Sequence, residues 1–271
     1  MDDLQAIARL VDALRPWLGE LVIVGGWAHR LHRCLPGAQP PTYQPLRTRD
    51  ADLAFSATAR LAGDLGTALT AAGFREELAG EHLPPVTWYR LGDGDQGFYA
   101  EFLTPLTGSG IRRGGASDAT LTKGGVTAQK LRHLDLLLVH PWTVALDAAA
   151  GVPVATPATV RLANPVSFIV QKLLIQTQRP SVKRAQDALY IHDTLDLFGR
   201  ELDTLRATWH GLVRPTLTAK MIAQIDQARR AHFGVVTDAL RGAARMPQDR
   251  TLSPERLQAA CDYGLAVIFD A

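Results

Sequence analysis

Apolar positions in residues 3–18 fall at Leu4, Ile7, Ala8, Leu10, Val11 and Leu14, the spacing of one helix face. Pro16 and Gly19 end that period. LVIV at 21–24 is continuous and β-branched, which predicts a short buried strand. Gly25 and Gly26 form a turn, and residues 27–35 return to helical character until Pro36 and Gly37. Residues 36–49 hold prolines at 36, 40, 41 and 45, a loop that is either mobile or functionally placed. ADLAF at 51–55 reads as a strand, and 57–73 as a helix ending at Gly73. VTWYRL (86–91) and FYAEFL (98–103) flank GDGDQG, a strong hairpin signal. The glycine-rich stretch 111–127 has no readable period. LDLLLVH (134–140), TVALDAA (143–149) and ATVRLA (158–163) predict further short strands.

The pattern changes after Asn164-Pro165. From there most of the chain has helix period, and SPERLQAACDYGLAVIF (253–269) opens with a serine cap and a proline at the first helical position. The expected organisation is an α/β part of α+β type at 1–163, a mixed sheet with flanking helices, followed by a helical domain at 164–271. With 46% hydrophobic residues, the 271-residue chain can bury a core of that size. A net charge of +2 does not by itself mark a nucleic-acid binder. Cys34 and Cys261, the two cysteines, are expected as free thiols in a reducing cytoplasm. The N-terminus lacks the basic and apolar regions of a signal peptide, and no run of about 18 apolar residues predicts a membrane span.

The chemistry concentrates at Asp50 and Asp52. Side chains alternate along a strand, so both carboxylates share a face while Ala51, Leu53 and Phe55 can face the core. Two close carboxylates repel unless compensated. A divalent cation with oxygen preference such as Mg²⁺ (or Mn²⁺) compensates them and brings phosphate chemistry with it; a solvated strand face is the alternative. Gly25 and Gly26 lie between a strand and a helix start, where bare backbone N–H groups suit phosphate; an ordinary turn would use the same residues. Glu101 stands inside the apolar FYAEFL, which needs a partner, a metal or an exposed edge. If Tyr99 and Leu103 share its face, the acidic site is partly covered.

VGGWAH, TRDADLAF and YAEFLTP together resemble the polymerase-β-like nucleotidyltransferase superfamily, with its glycine turn, acidic D-x-D strand and third carboxylate on a later strand. The stretch PVSFIVQKLLIQTQRPSVKRAQDALYIHDTLDLF, carrying Lys172, Arg179, Lys183 and Asp187, is similar to bacterial nucleotidyltransferases related to abortive-infection toxins. The resemblance implies a nucleoside triphosphate donor and two Mg²⁺ ions. Asp50, Asp52 and Glu101 would be metal ligands, and Gly25 and Gly26 would cradle the triphosphate. Lys172 would be catalytic and, with Arg179, Lys183 and Asp187, nucleotide-binding. The implied acceptor is a hydroxyl on an RNA or tRNA end or on a protein. A small molecule such as an antibiotic is the alternative, as is a non-catalytic nucleotide-binding module. A cognate antitoxin is an implied partner, and a membrane is not. Two positions depart from the pattern: Trp27 replaces a small or hydroxyl residue, and Glu101 replaces the commoner aspartate.

Within the helical stretch, Lys183 and Asp187 are four apart and suit an ion pair. Lys172 lies in an apolar helix, where its ammonium needs an anion or must snorkel to solvent. Other features carry less chemistry. His29 and His32 have H-x-x-H spacing but no completing ligand. Ser109 and Ser117 lack a nucleophile elbow. The basic clusters at 47–49 and 111–113 suit an acidic acceptor or solvent. Trp88, Tyr89 and Tyr99 read as core or cross-strand hairpin pairs rather than base-stacking platforms.

Overall fold

The computed structural model describes residues 2–92, 97–111, 114–115 and 117–270. The chain forms two compact units: 1–34 with 47–163, and 35–46 with 164–271.

In the first unit, α1 (Asp3–Ala13) buries Ala6, Ile7, Ala8, Leu10 and Val11, the stripe its spacing predicts. A 3-10 turn at Arg15–Trp17 takes up Pro16. Strand β1 (Val22–Val24) is wholly buried and runs directly into α2 (Gly25–Leu31), so the helix begins at the glycines rather than after them. Strand β2 (Asp50–Ala54) follows. Residues 57–64 are not helical. Gly63 adopts φ +84°, and Asp64 caps a shorter α3 (Leu65–Ala71) by accepting from Thr67 N at 2.8 Å. Strands β3 (Arg75–Ala79), β4 (Val86–Leu91), β5 (Phe98–Pro105), β6 (Thr120–Lys123), β7 (Val126–Leu131), β8 (Trp142–Leu146) and β9 (Ala158–Leu162) complete the unit.

Among the described residues nine strands form one mixed sheet in the order β3-β4-β5-β2-β1-β9-β8, with β7 on β5 and β6 on β7. Strands β4 and β5 pair antiparallel as the hairpin signal predicts; most of the connecting GDGDQG, like Arg112 and Arg113 of the basic cluster, lies outside the described residues. Strand β5 has β2 on one edge. It shares the other between β4, along Phe98–Glu101, and β7, from Leu103 onward.

LDLLLVH is not a strand. Residues Asp135–Leu138 form a 3-10 turn entered through His133 at φ +62°. Leu134 and Leu137 close over Val22, Val24, Ala54, Leu103 and Ala163. A short apolar run can cap a sheet as readily as extend it.

The sheet's opposite face is aromatic. Phe98 meets Trp27 and Phe74 edge-on, with centroids 6.0 and 6.5 Å apart, and Tyr89 meets Phe102 at 6.0 Å. Trp27 is fully buried there, so it is a core residue.

The second unit is helical: α4 (Pro165–Ile175), α5 (Ser181–Leu197), α6 (Leu202–Thr208), α7 (Ala219–Phe233), α8 (Asp238–Ala244) and α9 (Pro254–Phe269). Asn164 caps α4 through Ser167 N at 2.8 Å, and Ser253 caps α9 through Arg256 N. The proline-rich segment 35–46 is pinned to these helices. Tyr43 Oη donates to Asp196 at 2.7 Å, the Arg250 guanidinium lies 3.3 Å from the Tyr43 ring centroid, and Gln44 N donates to Asp249 at 2.6 Å. Both cysteines are free. No described helix is long and apolar enough to cross a membrane.

Candidate active site

The alternation of β2 places Ala51 and Leu53 in the core and leaves Asp50 and Asp52 half-buried on the other face. Parallel pairing sets Asp52 beside Glu101 and Asp50 beside Tyr99. Three carboxylates therefore occupy one face of two adjacent strands, spaced about 4.8 Å apart. Tyr99 and Leu103 do share the face of Glu101, and Leu103 is buried where the apolar cover begins.

Register carries this face into two rows across the sheet. One row runs Asp52, Glu101, Trp88, Glu77 from β2 to β3; the next runs Asp50, Tyr99, Arg90, Arg75. The Arg90 Nε donates to both Glu77 carboxylate oxygens at 3.0 Å. The Thr48 hydroxyl donates to Asp50 Oδ1 and orients that carboxylate. Burial pushes the Tyr99 phenol well above the usual range, and the negative charges of Asp50, Glu101 and Asp52 push it further. The fields of all three acids thus meet at one ring.

Gly25 backs onto this face. Its φ is +62°, and a Cβ built on it would lie 1.8 Å from Asp52 Oδ2. Only glycine satisfies both demands. Gly26, the next residue of α2, is buried.

Three acids on one half-buried face, with the Asp52 carboxylate packed against the bare Cα of Gly25, suit an oxygen-preferring divalent cation. Among the described residues no three His, Cys, Asp or Glu side chains are already gathered as a formed metal site. The acids share a face and a register without converging on one point.

The basic set belongs to the second unit. Lys172, 6% exposed, lies 2.8 Å from Asp187 Oδ1, with its ammonium 5.3 and 5.4 Å from the Phe168 and Tyr190 ring centroids. Arg179 Nε stands 3.4 Å from the other Asp187 oxygen. The structure thus brings Lys172, Arg179 and Asp187 together. Lys183, expected to pair with Asp187, is exposed on the first turn of α5. Asp187 takes its ions from elsewhere: Lys172 on α4 is the nearer of them.

His29 and His32 are both buried, with ring centroids 6.3 Å apart. His32 Nε2 lies 2.8 Å from the Ala163 carbonyl, which can only accept, so the imidazole carries its proton on Nε2. Burial lowers its pKa to about 4.

Sequence reasoning missed Thr48, Arg90 and the outward placement of Trp88. The parity of Trp88 with Arg90, and of Tyr99 with Glu101, was the available signal.

The family model described as Nucleotidyltransferase matches residues 2–213 of the 271-residue chain. The chain belongs to that nucleotidyltransferase family. No curated protein matches it.

Proposed function

We propose that this member of the nucleotidyltransferase family transfers a nucleoside monophosphate from a nucleoside triphosphate to a hydroxyl acceptor, and that the acid face of β2 and β5 is its catalytic site. The observation that carries the reading is the parallel register of Asp52 with Glu101, with Asp50 two residues away and Gly25 backed against Asp52.

Asp50, Asp52 and Glu101 would hold Mg²⁺ or Mn²⁺, which when bound offsets the triphosphate charge and lowers the pKa of the acceptor hydroxyl. On the resemblance, Gly25 and Gly26 cradle the triphosphate through the backbone N–H groups that open α2. Thr48 holds the Asp50 carboxylate in orientation. The acceptor oxygen forms a bond to the α-phosphorus as the bond to the bridging oxygen breaks, and pyrophosphate departs. Glu101, which the sheet keeps half-buried beside Asp52, either completes the cation's ligands or takes the acceptor's proton.

On the resemblance alone we assign nucleotide phosphate binding to Lys172, Arg179, Lys183 and Asp187. The same resemblance supports an RNA end or a protein hydroxyl as acceptor and a cognate antitoxin as partner.

The test is to incubate the protein with each α-labelled nucleoside triphosphate, Mg²⁺ and total cellular RNA and protein, then resolve the products. Label should enter one macromolecular fraction and vanish when Mg²⁺ is chelated. No transfer with any of the four triphosphates would overturn the reading.

A further inference from the structure

Three of the aromatic residues on β4 and β5 pack in the core: Tyr89, Phe98 and Phe102 are buried, and their contacts are edge-on, with interplanar angles of 72°, 62° and 84°. A large apolar ring gains most free energy when fully removed from water. Trp88 and Tyr99 are different. Both are only half-buried, on the acid face. Their rings lie 5.0 Å apart at only 30°, closer to parallel than any of those core pairs. They are diagonal neighbours, since Trp88 faces Glu101 and Tyr99 faces Arg90. The Arg90 guanidinium lies over the Tyr99 ring, 5.7 Å from its centroid, and is itself held by Glu77.

The position of the pair gives it a partner class. The order across the sheet is β1, β2, β5, β4. Gly25 follows β1, the carboxylates lie on β2 and β5, and Trp88 lies on β4, beyond Glu101. Trp88 is therefore on the far side of the acids from Gly25, while Tyr99 shares the strand of Glu101 and pairs with Asp50. If the triphosphate lies at the glycines, this is the side from which the acceptor enters. The acids leave an anionic chain little reason to lie flat on this face, but stacking needs no charge, and Arg75 at the end of the second row offsets part of theirs.

We propose that Trp88 and Tyr99 form a stacking platform for the terminal nucleobase of a single-stranded nucleic-acid acceptor. The inference rests on the transferase reading above and names its acceptor. Aromatic stacking of this kind tolerates any base and is worth roughly 1–3 kcal/mol per base, about 5- to 150-fold in affinity.

The test uses the full-length protein and a single-stranded RNA 12-mer of fixed sequence, alongside the same oligonucleotide with an abasic 3′ nucleotide. Trp88→Ala should raise the KM for the intact 12-mer at least fivefold while leaving the KM for the triphosphate within twofold. Trp88→Phe should restore most of the loss. The abasic 12-mer should show the same rise with the wild-type protein and no further rise with Trp88→Ala. Melting curves on both variants establish that they are folded. Equal KM values for the intact 12-mer in Trp88→Ala and wild type overturn the platform. So does label appearing only on protein or on a small molecule. Failure of the underlying transferase site is separately visible: Asp52→Asn would then leave labelling intact, whereas a failed platform leaves Asp52→Asn inactive.

Discussion

Gly25 and Asp52 cannot both keep their places if Gly25 gains a single carbon: the added Cβ would stand 1.8 Å from the Asp52 carboxylate oxygen. The backbone at Gly25 is also left-handed, at φ +62°, which costs a non-glycine residue roughly 1–2 kcal/mol. Gly25→Ala should therefore do two things together. It should lower stability by at least that amount, measured by urea unfolding, and it should abolish nucleotidyl transfer because Asp52 must swing away. A variant that is destabilised but turns over at the wild-type rate would separate Asp52 from the chemistry.

The three acids differ in their support, and the substitutions should show it. Asp50→Asn and Asp52→Asn remove repulsion from a crowded face, so both proteins should fold with melting temperatures at or above wild type and show no transfer. Glu101→Gln should weaken Mn²⁺ binding measured by calorimetry, whereas Glu101→Asp keeps the charge and should keep part of the activity. Thr48→Val removes only the hydroxyl that orients Asp50; it should reduce kcat by about tenfold with an unchanged triphosphate KM. Full Mn²⁺ affinity in Glu101→Gln would make Glu101 an ordinary strand residue.

What could be read in advance followed from periodicity. Strand alternation was enough to pair Asp50 with Asp52 and to set Ala51 and Leu53 behind them. It could not show β3, because Arg75–Ala79 buries neither face fully and so has no alternation to detect. Nor could it show that Leu134 and Leu137 cover the sheet, since a run of buried leucines is the same string in a turn and in a strand. Cross-strand pairing and core burial were both expected of Trp88, Tyr89 and Tyr99, and both occur; which two meet across the hairpin is a matter of register, which appears only once the strands are paired. Lys183 and Asp187 were legible as i, i+4 neighbours; that Asp187 answers to Lys172, 15 residues earlier on another helix, is a tertiary fact.

His32 should make stability depend on pH. Its folded pKa is depressed from 6.5 to about 4 by burial, so the unfolded chain takes up a proton that the folded one refuses. The contribution is present above pH 6.5 and is lost as the pH falls from there toward 4. Between pH 7 and pH 5 this amounts to about 2 kcal/mol. Urea unfolding at those two values should show it. In His32→Leu the slope over that interval should flatten, while stability at pH 7 drops because the Ala163 carbonyl loses its donor. An unchanged slope in the variant would assign the pH dependence to other groups.

A buried lysine in an apolar helix invites the expectation that replacing it with methionine would hold or raise stability, because a costly charge disappears. The structure reverses that expectation. The Lys172 ammonium is 2.8 Å from an Asp187 carboxylate that is 2% exposed. Removing one partner of a buried pair strands the other, typically at about 3–5 kcal/mol. Arg179, 3.4 Å from the second oxygen, still faces Asp187, so Lys172→Met should fall at the lower end of that range. Two further variants apportion the effect. Asp187→Leu alone should be destabilising as well, since it leaves Lys172 between the Phe168 and Tyr190 rings with no counter-ion. Lys172→Met combined with Asp187→Leu should recover much of the loss, because neither charge is then buried alone. Thermal and urea unfolding of the three variants give the coupling free energy directly. Additive losses in the double variant would mean that the two residues act independently and that the pair does not hold α4 to α5.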